Sequence, residues 1–178
     1  TDLNGATISY DLTSGFTGFS DAPGLIKFNR ALAARVDIYQ SKWDNALNDL
    51  ALSFFSLSGD FNTGISQQFG TGSGDQLNSA FFPQNQNGEV RVAQPLYASQ
   101  MEPGDDRINK ATLRATPASS GGLSSDRDEW VYQSSTAPIP IIRNEELILI
   151  YAEANIQSAT PNFAKAIAAI NTIRKGHN

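Results

Sequence analysis

Cysteine is missing altogether from this sequence, which rules out disulfide bridges, thiolate metal sites and a cysteine nucleophile. Histidine is nearly missing. The one example, His177, sits beside the C-terminus, so a Ser-His-Asp arrangement or a histidine-rich metal site lacks its parts. Charge is scarce as well: Asp, Glu, Lys and Arg make up 17% of the chain, against ~25% in an average protein. Amides, hydroxyls and glycines take the surface places instead. A net charge of -5, with no cluster of Lys and Arg, argues against a nucleic-acid partner, whose affinity comes from cations displacing counterions. No apolar run reaches the ~18 residues of a membrane span, and the opening TDLNGATISY has neither the basic start nor the apolar stretch of a signal peptide. What remains is a chain of 178 residues, 40% of them hydrophobic, long enough to bury a core without staples.

Two regions carry helical spacing. In APGLIKFNRALAARVDIYQ the apolar residues Leu25, Phe28, Leu32, Val36 and Tyr39 fall on one face, with Asp21 placed to cap and Pro23 suited to the first turn. SKWDNALNDLALSFF follows at once, with Trp43, Ala46, Leu47, Leu50 and Phe54 on one side, and Ser41 with Asp44 resembling a capping box. Late in the chain, RNEELILIYAEAN predicts a helix capped by Asn144 and running to about Gln157. TPNFAKAIAAINTIRKG predicts a partner helix with Thr160 as cap, Pro161 at the first position, Gly176 as stop, and Phe163, Ala166, Ile167, Ile170 and Ile173 on one face.

The two hairpins align at a spacing of 120 positions: Ala34 with Ala154, Trp43 with Phe163, Ala46 with Ala166, Leu50 with Ile170. Small residues that admit close helix approach, with an aromatic closing the turn, are the packing logic of tetratricopeptide units. Within the last hairpin, Glu153 stands between two alanines in an otherwise apolar run. A buried carboxylate must be paired, so the reading assigns it a structural role as a fixed polar contact between packed helices. Reflecting the hairpin about its turn sets Arg174 opposite Glu145 and Glu146, which leaves Glu153 to find a partner elsewhere.

Residues 56–142 are crowded with turn formers, as in FGTGSGDQLN, FPQNQNGE and SSGGLSSDRDE. Their aromatics argue against disorder, and the expectation is an all-α chain, a single domain over 1–178. Hairpins at 22–55 and 144–175 would flank an irregular, loop-rich layer packed over the helices. GTGSGD lacks the Lys-Ser/Thr of a phosphate loop and reads as a turn. DRDEW begins like a calcium loop but puts Trp130 where an oxygen ligand belongs. Asp60, Asp75, Asp105 and Asp128 supply carboxylates whose spatial separation would decide a hydrolytic role, although acids are ordinary in turns. No cofactor, metal site or catalytic set is assigned.

For sugar binding, a ring face must cover the C–H side of a pyranose while amides and hydroxyls satisfy its rim. Phe81, Phe82, Tyr97, Trp130 and Tyr132 beside Asn78, Gln84 and Asn85 offer that chemistry in loops. The alternative for Phe81 and Phe82 is the core of the irregular layer.

RNEELILIYAEAN followed by AIAAINTIRKG resembles the paired signature near the end of the SusD/RagB family of outer-membrane nutrient-binding lipoproteins. FNRALAARVDIYQSKWDNALNDL is similar to that family's earlier hairpin, APIPIIRNEE to its lead-in to the last helical pair, and GDDRINKAT to its Asp-Pro-Arg segment, here Asp105, Asp106 and Arg107. The four segments occur in family order and correspond to the middle-to-late portion of a member. The resemblance implies a SusD-like fold and a non-enzymatic role: capture of an oligosaccharide or similar nutrient at the surface of the outer membrane, and delivery to a SusC-like TonB-dependent transporter. Membrane contact would come only through a lipid anchor absent from this sequence. The alternative is a tetratricopeptide-type module that binds a peptide through Lys27, Asn29 and Arg30 and takes no glycan.

Overall fold

The structure is a computed structural model and describes Leu3 and residues 5–178. It corrects the all-α expectation: the chain is mixed α and β, with two antiparallel two-stranded sheets among the described residues. The helices are α1 (Ala22–Tyr39), α2 (Trp43–Leu52), the single turn α3 (Leu96–Ser99), α4 (Asn144–Gln157) and α5 (Phe163–Gly176). The strands are β1 (Gly64–Gln67), β2 (Ala111–Ser120), β3 (Leu123–Glu129) and β4 (Ile139–Arg143). Two compact units result, one of the residues up to Gln68 with Ile139–Gly176, the other of Phe69–Pro138 with His177–Asn178.

The helical unit is built on small residues. Ala31, Ala34, Ala46, Ala154 and Ala169 have no exposed surface, which lets helix axes close on one another around Leu50, Leu147, Ile148 and Ile150. Burying each of those larger side chains contributes roughly 1.5–3 kcal/mol. Helix α4 is apolar on two sides because it packs against α1 and α2 through Leu147 and Ile150 and against α5 through Ile148 and Ala152. A third side faces water, and on it lie Leu149, Glu153 and Ile156 at i, i+4 and i+7. Glu153 is therefore exposed, and its reading as a buried contact between helices is overturned. The apolar neighbours that made it look buried belong to the two packed flanks.

Polar contacts come from residues that the helical pattern undervalued. Asn144 is 1% exposed and does not cap α4. Its carboxamide clamps the Ser56 turn instead, donating to Ser56 O at 2.8 Å and accepting from Ser56 N at 2.9 Å. Arg35 of α1 grips Glu146 through two hydrogen bonds of 2.5 and 2.7 Å and also donates to Ile141 O. Glu146 holds that guanidinium more firmly charged than usual. Glu145, buried, pairs with Arg143.

Helix α5 seats Ala166, Ala169 and Ile173, an i, i+3, i+7 stripe. Phe163, Ile167 and Ile170, rotated by about a quarter turn, are exposed, whereas Trp43, at the position matching Phe163, is half-buried. The start signals shift too. Asp21 caps α1, accepting from Gly24 N at 2.8 Å. Ser41 adopts positive φ and makes no capping box. Asn162, not Thr160, accepts from Lys165 N at the start of α5.

Strands β1 and β4 pair Gly64 with Arg143, Ile65 with Ile142 and Gln67 with Ile139, burying both isoleucines. A side chain at Gly64 would meet Ile142 O at 2.1 Å, so the close approach requires glycine. In the other unit β2 and β3 form a hairpin whose turn, Gly121–Gly122, has positive φ at both residues, as a right-handed two-residue connection demands. Residues 91–93 lie along the far side of β3, through Ala93 N to Arg127 O and Glu129 N to Arg91 O.

Candidate binding cleft

The loop residues singled out for sugar contact are largely committed to holding their own segment. Asn78 is buried; its amide donates to Ala137 O at 2.7 Å and its oxygen accepts from Ala80 N. Gln84 donates to Thr112 Oγ1 at 2.6 Å. Asn85, in the left-handed region that Asn tolerates, accepts from Ala115 N through its side chain, while its own N–H reaches Asp128. These three amides therefore anchor the 78–86 segment to β2, β3 and the chain before β4.

The aromatics divide. Phe81 and Trp130 meet at 6.0 Å between ring centroids, both half-buried, and Trp130 N donates to Lys110 O. Arg91 lies over Phe82 at 4.9 Å. Tyr132 is half-buried, and Tyr97 donates its hydroxyl to Arg107 O at 2.8 Å. Burial pushes the Tyr97 phenol up. Phe81 and Phe82 are both half-buried and spend part of their ring surface on Trp130 and Arg91.

The carboxylates are equally engaged. Asp75 accepts from Gly72 N and fills the space beside Gly70 and Gly72, which makes GTGSGD a closed turn. Asp60 accepts from Asn62 N. Asp128 and Arg114 are an ion pair with side chains 4% exposed each. Its remaining partners are Asn85 N, Gln86 O and Thr116 O, so the buried charges are fully hydrogen-bonded. The DRDEW run is thus part of β3, not a calcium loop.

Asp105 is 5% exposed and receives Arg107 through both its backbone N–H and its guanidinium. Arg107 holds the Asp105 carboxyl down to about 2. His177, far from frayed, is 11% exposed in its side chain and sets Nδ1 2.6 Å from Asp106 Oδ1, while Asp106 N donates to His177 O. Among the described residues no group of three His, Asp or Glu side chains is arranged to hold a metal ion.

Open space lies elsewhere in this unit, on the sheet formed by β2, β3 and the 88–95 segment. A cleft of about 560 Å³ is walled by Val90, Val92, Pro95 and Leu123, with Ser119 and Ser124 on its rim. Ser119 and Ser124 are register partners across the hairpin, both exposed, so two hydroxyls stand side by side. Leu123 is 77% exposed. Among the described residues no charged one lines this cleft. Sequence reasoning passed over these residues because SSGGLSSD reads as a loop; the usable signal was the Gly-Gly pair between two runs able to pair as strands.

No protein-family model matches the sequence, and no curated protein matches it.

Proposed function

We propose that this chain is a non-catalytic binding protein for an oligosaccharide or similar neutral nutrient. It would serve a TonB-dependent transporter at the surface of the outer membrane. The transporter and the location rest on the ordered resemblance of four segments to SusD/RagB proteins. The binding role rests on the cleft: an aliphatic wall of Val90, Val92, Pro95 and Leu123 beside the exposed hydroxyls of Ser119 and Ser124, with no charge lining it. A sugar presents the matching surfaces, a C–H face that gains from leaving water and hydroxyls that need partners.

Titration calorimetry with neutral oligosaccharides tests this reading. Binding that weakens at least tenfold in Leu123→Asp, with an unchanged melting temperature, supports it; heats indistinguishable from dilution for every saccharide sink it.

One observation favours a second reading, an interaction module without glycan. Phe163, Ile167 and Ile170 leave an apolar stripe of α5 exposed, a surface of the kind that partner helices cover. The peptide-binding set named from sequence speaks against a groove on α1, since Arg30 is occupied by Asn29 and Asp49. Saccharide calorimetry set beside a pull-down with the transporter separates the two: saccharide heats belong to the first reading alone, whereas capture that is lost in Ile167→Glu, with no saccharide heat, belongs to the second.

A further inference from the structure

We infer that the cleft is the larger half of a two-compartment trench that receives an uncharged chain of several linked sugar units; this rests on the sugar-binding reading above. A second hollow of about 300 Å³ shares Gly88, Val90, Ala118 and Ser119 with the first, so the two adjoin along that stretch of wall. Their volumes fall in the ~300–1,000 Å³ range of ligand sites. Their chemistry differs. The larger sets Val90, Val92, Pro95 and Leu123 beside serines and Gln94, whereas Gln86, Asn87 and Thr116 make the smaller the more polar of the two.

The smaller compartment exists because the hairpin register breaks. Leu113 pairs with Arg127 and Ala118 with Ser125, so residues 114–117 stand opposite Asp126 alone. That surplus bends β2 and makes Thr116 and Pro117 part of the wall.

Among the described residues Arg114 is the one charged group on either lining, and it is not available to an anion. Its side chain is 4% exposed and donates to Asp128, Gln86 O and Thr116 O. An acidic ligand would have to break a buried ion pair to use it, which selects for neutral chains. A ligand confined to one compartment leaves the other's groups bare, so affinity should grow with chain length until both are filled.

The experiment is calorimetry on the full chain with neutral malto-, manno- and xylo-oligosaccharides of increasing length, and with oligouronates. Affinity is expected to rise by about tenfold or more from the shortest binder to a plateau, with no gain from uronate charge. Ser119→Trp, which fills the shared wall, should erase the length dependence while short chains still bind. Asn87→Trp, on an exposed loop position, repeats the test from the smaller compartment should Ser119→Trp misfold by circular dichroism. Length-independent binding, binding indifferent to both variants, or preference for uronates overturns the trench and leaves sugar binding standing. No binding by any saccharide overturns the sugar-binding reading itself.

Discussion

Asn144 and Ser56 exchange two hydrogen bonds across 88 residues of sequence, the side-chain amide of one mimicking a strand partner for the backbone of the other. The clamp holds the turn after α2 against the first turn of α4, and it also reaches Gly59 O at 3.4 Å. Replacing Asn144 by Ala, at a site 1% exposed, leaves the half-buried Ser56 N–H without this partner and Ser56 O with Gly59 N alone. A polar group that loses its partner on burial costs ~1–3 kcal/mol, and a loss of that order in urea unfolding is expected. Asn144→Asp, which keeps the acceptor but not the donor, should fall between Ala and the parent.

Glu153 provides the contrast. It lies on the exposed stripe of α4, so Glu153→Gln should change stability by less than ~0.5 kcal/mol. Loss of more than 1 kcal/mol in the same unfolding experiment would restore a buried role for this carboxylate.

The Arg114–Asp128 pair is buried on both sides. Arg114→Met alone strands a buried carboxylate, and Asp128→Leu alone strands a guanidinium; each should cost ~3–5 kcal/mol. The double variant should recover a large part of that loss, because neither charge then remains to be compensated. A double-mutant cycle by chemical unfolding measures the coupling, and simple additivity would show that the two residues act independently.

Acid should loosen the turn around Asp105. Its folded value lies near 2, below the ~3.9 of an unfolded aspartate. A depressed value contributes stability that is complete above about pH 4 and disappears as pH falls through about 2. Near-ultraviolet circular dichroism of the parent, compared with Asp105→Asn, should therefore differ above pH 4 and converge towards pH 2. A constant difference over that range would show that Arg107 does not govern the carboxyl.

Helices were legible in the sequence because α1, α2, α4 and α5 declare themselves by spacing, and Asp21 by its position. Which side of α5 is seated was not. Ala166, Ala169 and Ile173 outcompete the larger Phe163, Ile167 and Ile170 because close axis approach favours small side chains. The β2–β3 hairpin was hidden for a related reason. Its strands are made of Ala, Thr, Ser, Arg and Asp, with little of the β-branched and aromatic content that marks strands. What buries them is the Arg114–Asp128 network and the 84–93 chain, none of it local in sequence. The aromatics belong to the same unit as the hairpin, where Phe81 and Trp130 pack against each other.

The pairing of Gln67 with Ile139 brings the exit and return of a 71-residue excursion, positions 68–138, onto adjacent strands of one ribbon. Replacing positions 68–138 by a two-residue Asn-Gly link would leave β1 and β4 joined as an ordinary hairpin, at the cost of the Asp106 contacts that hold His177.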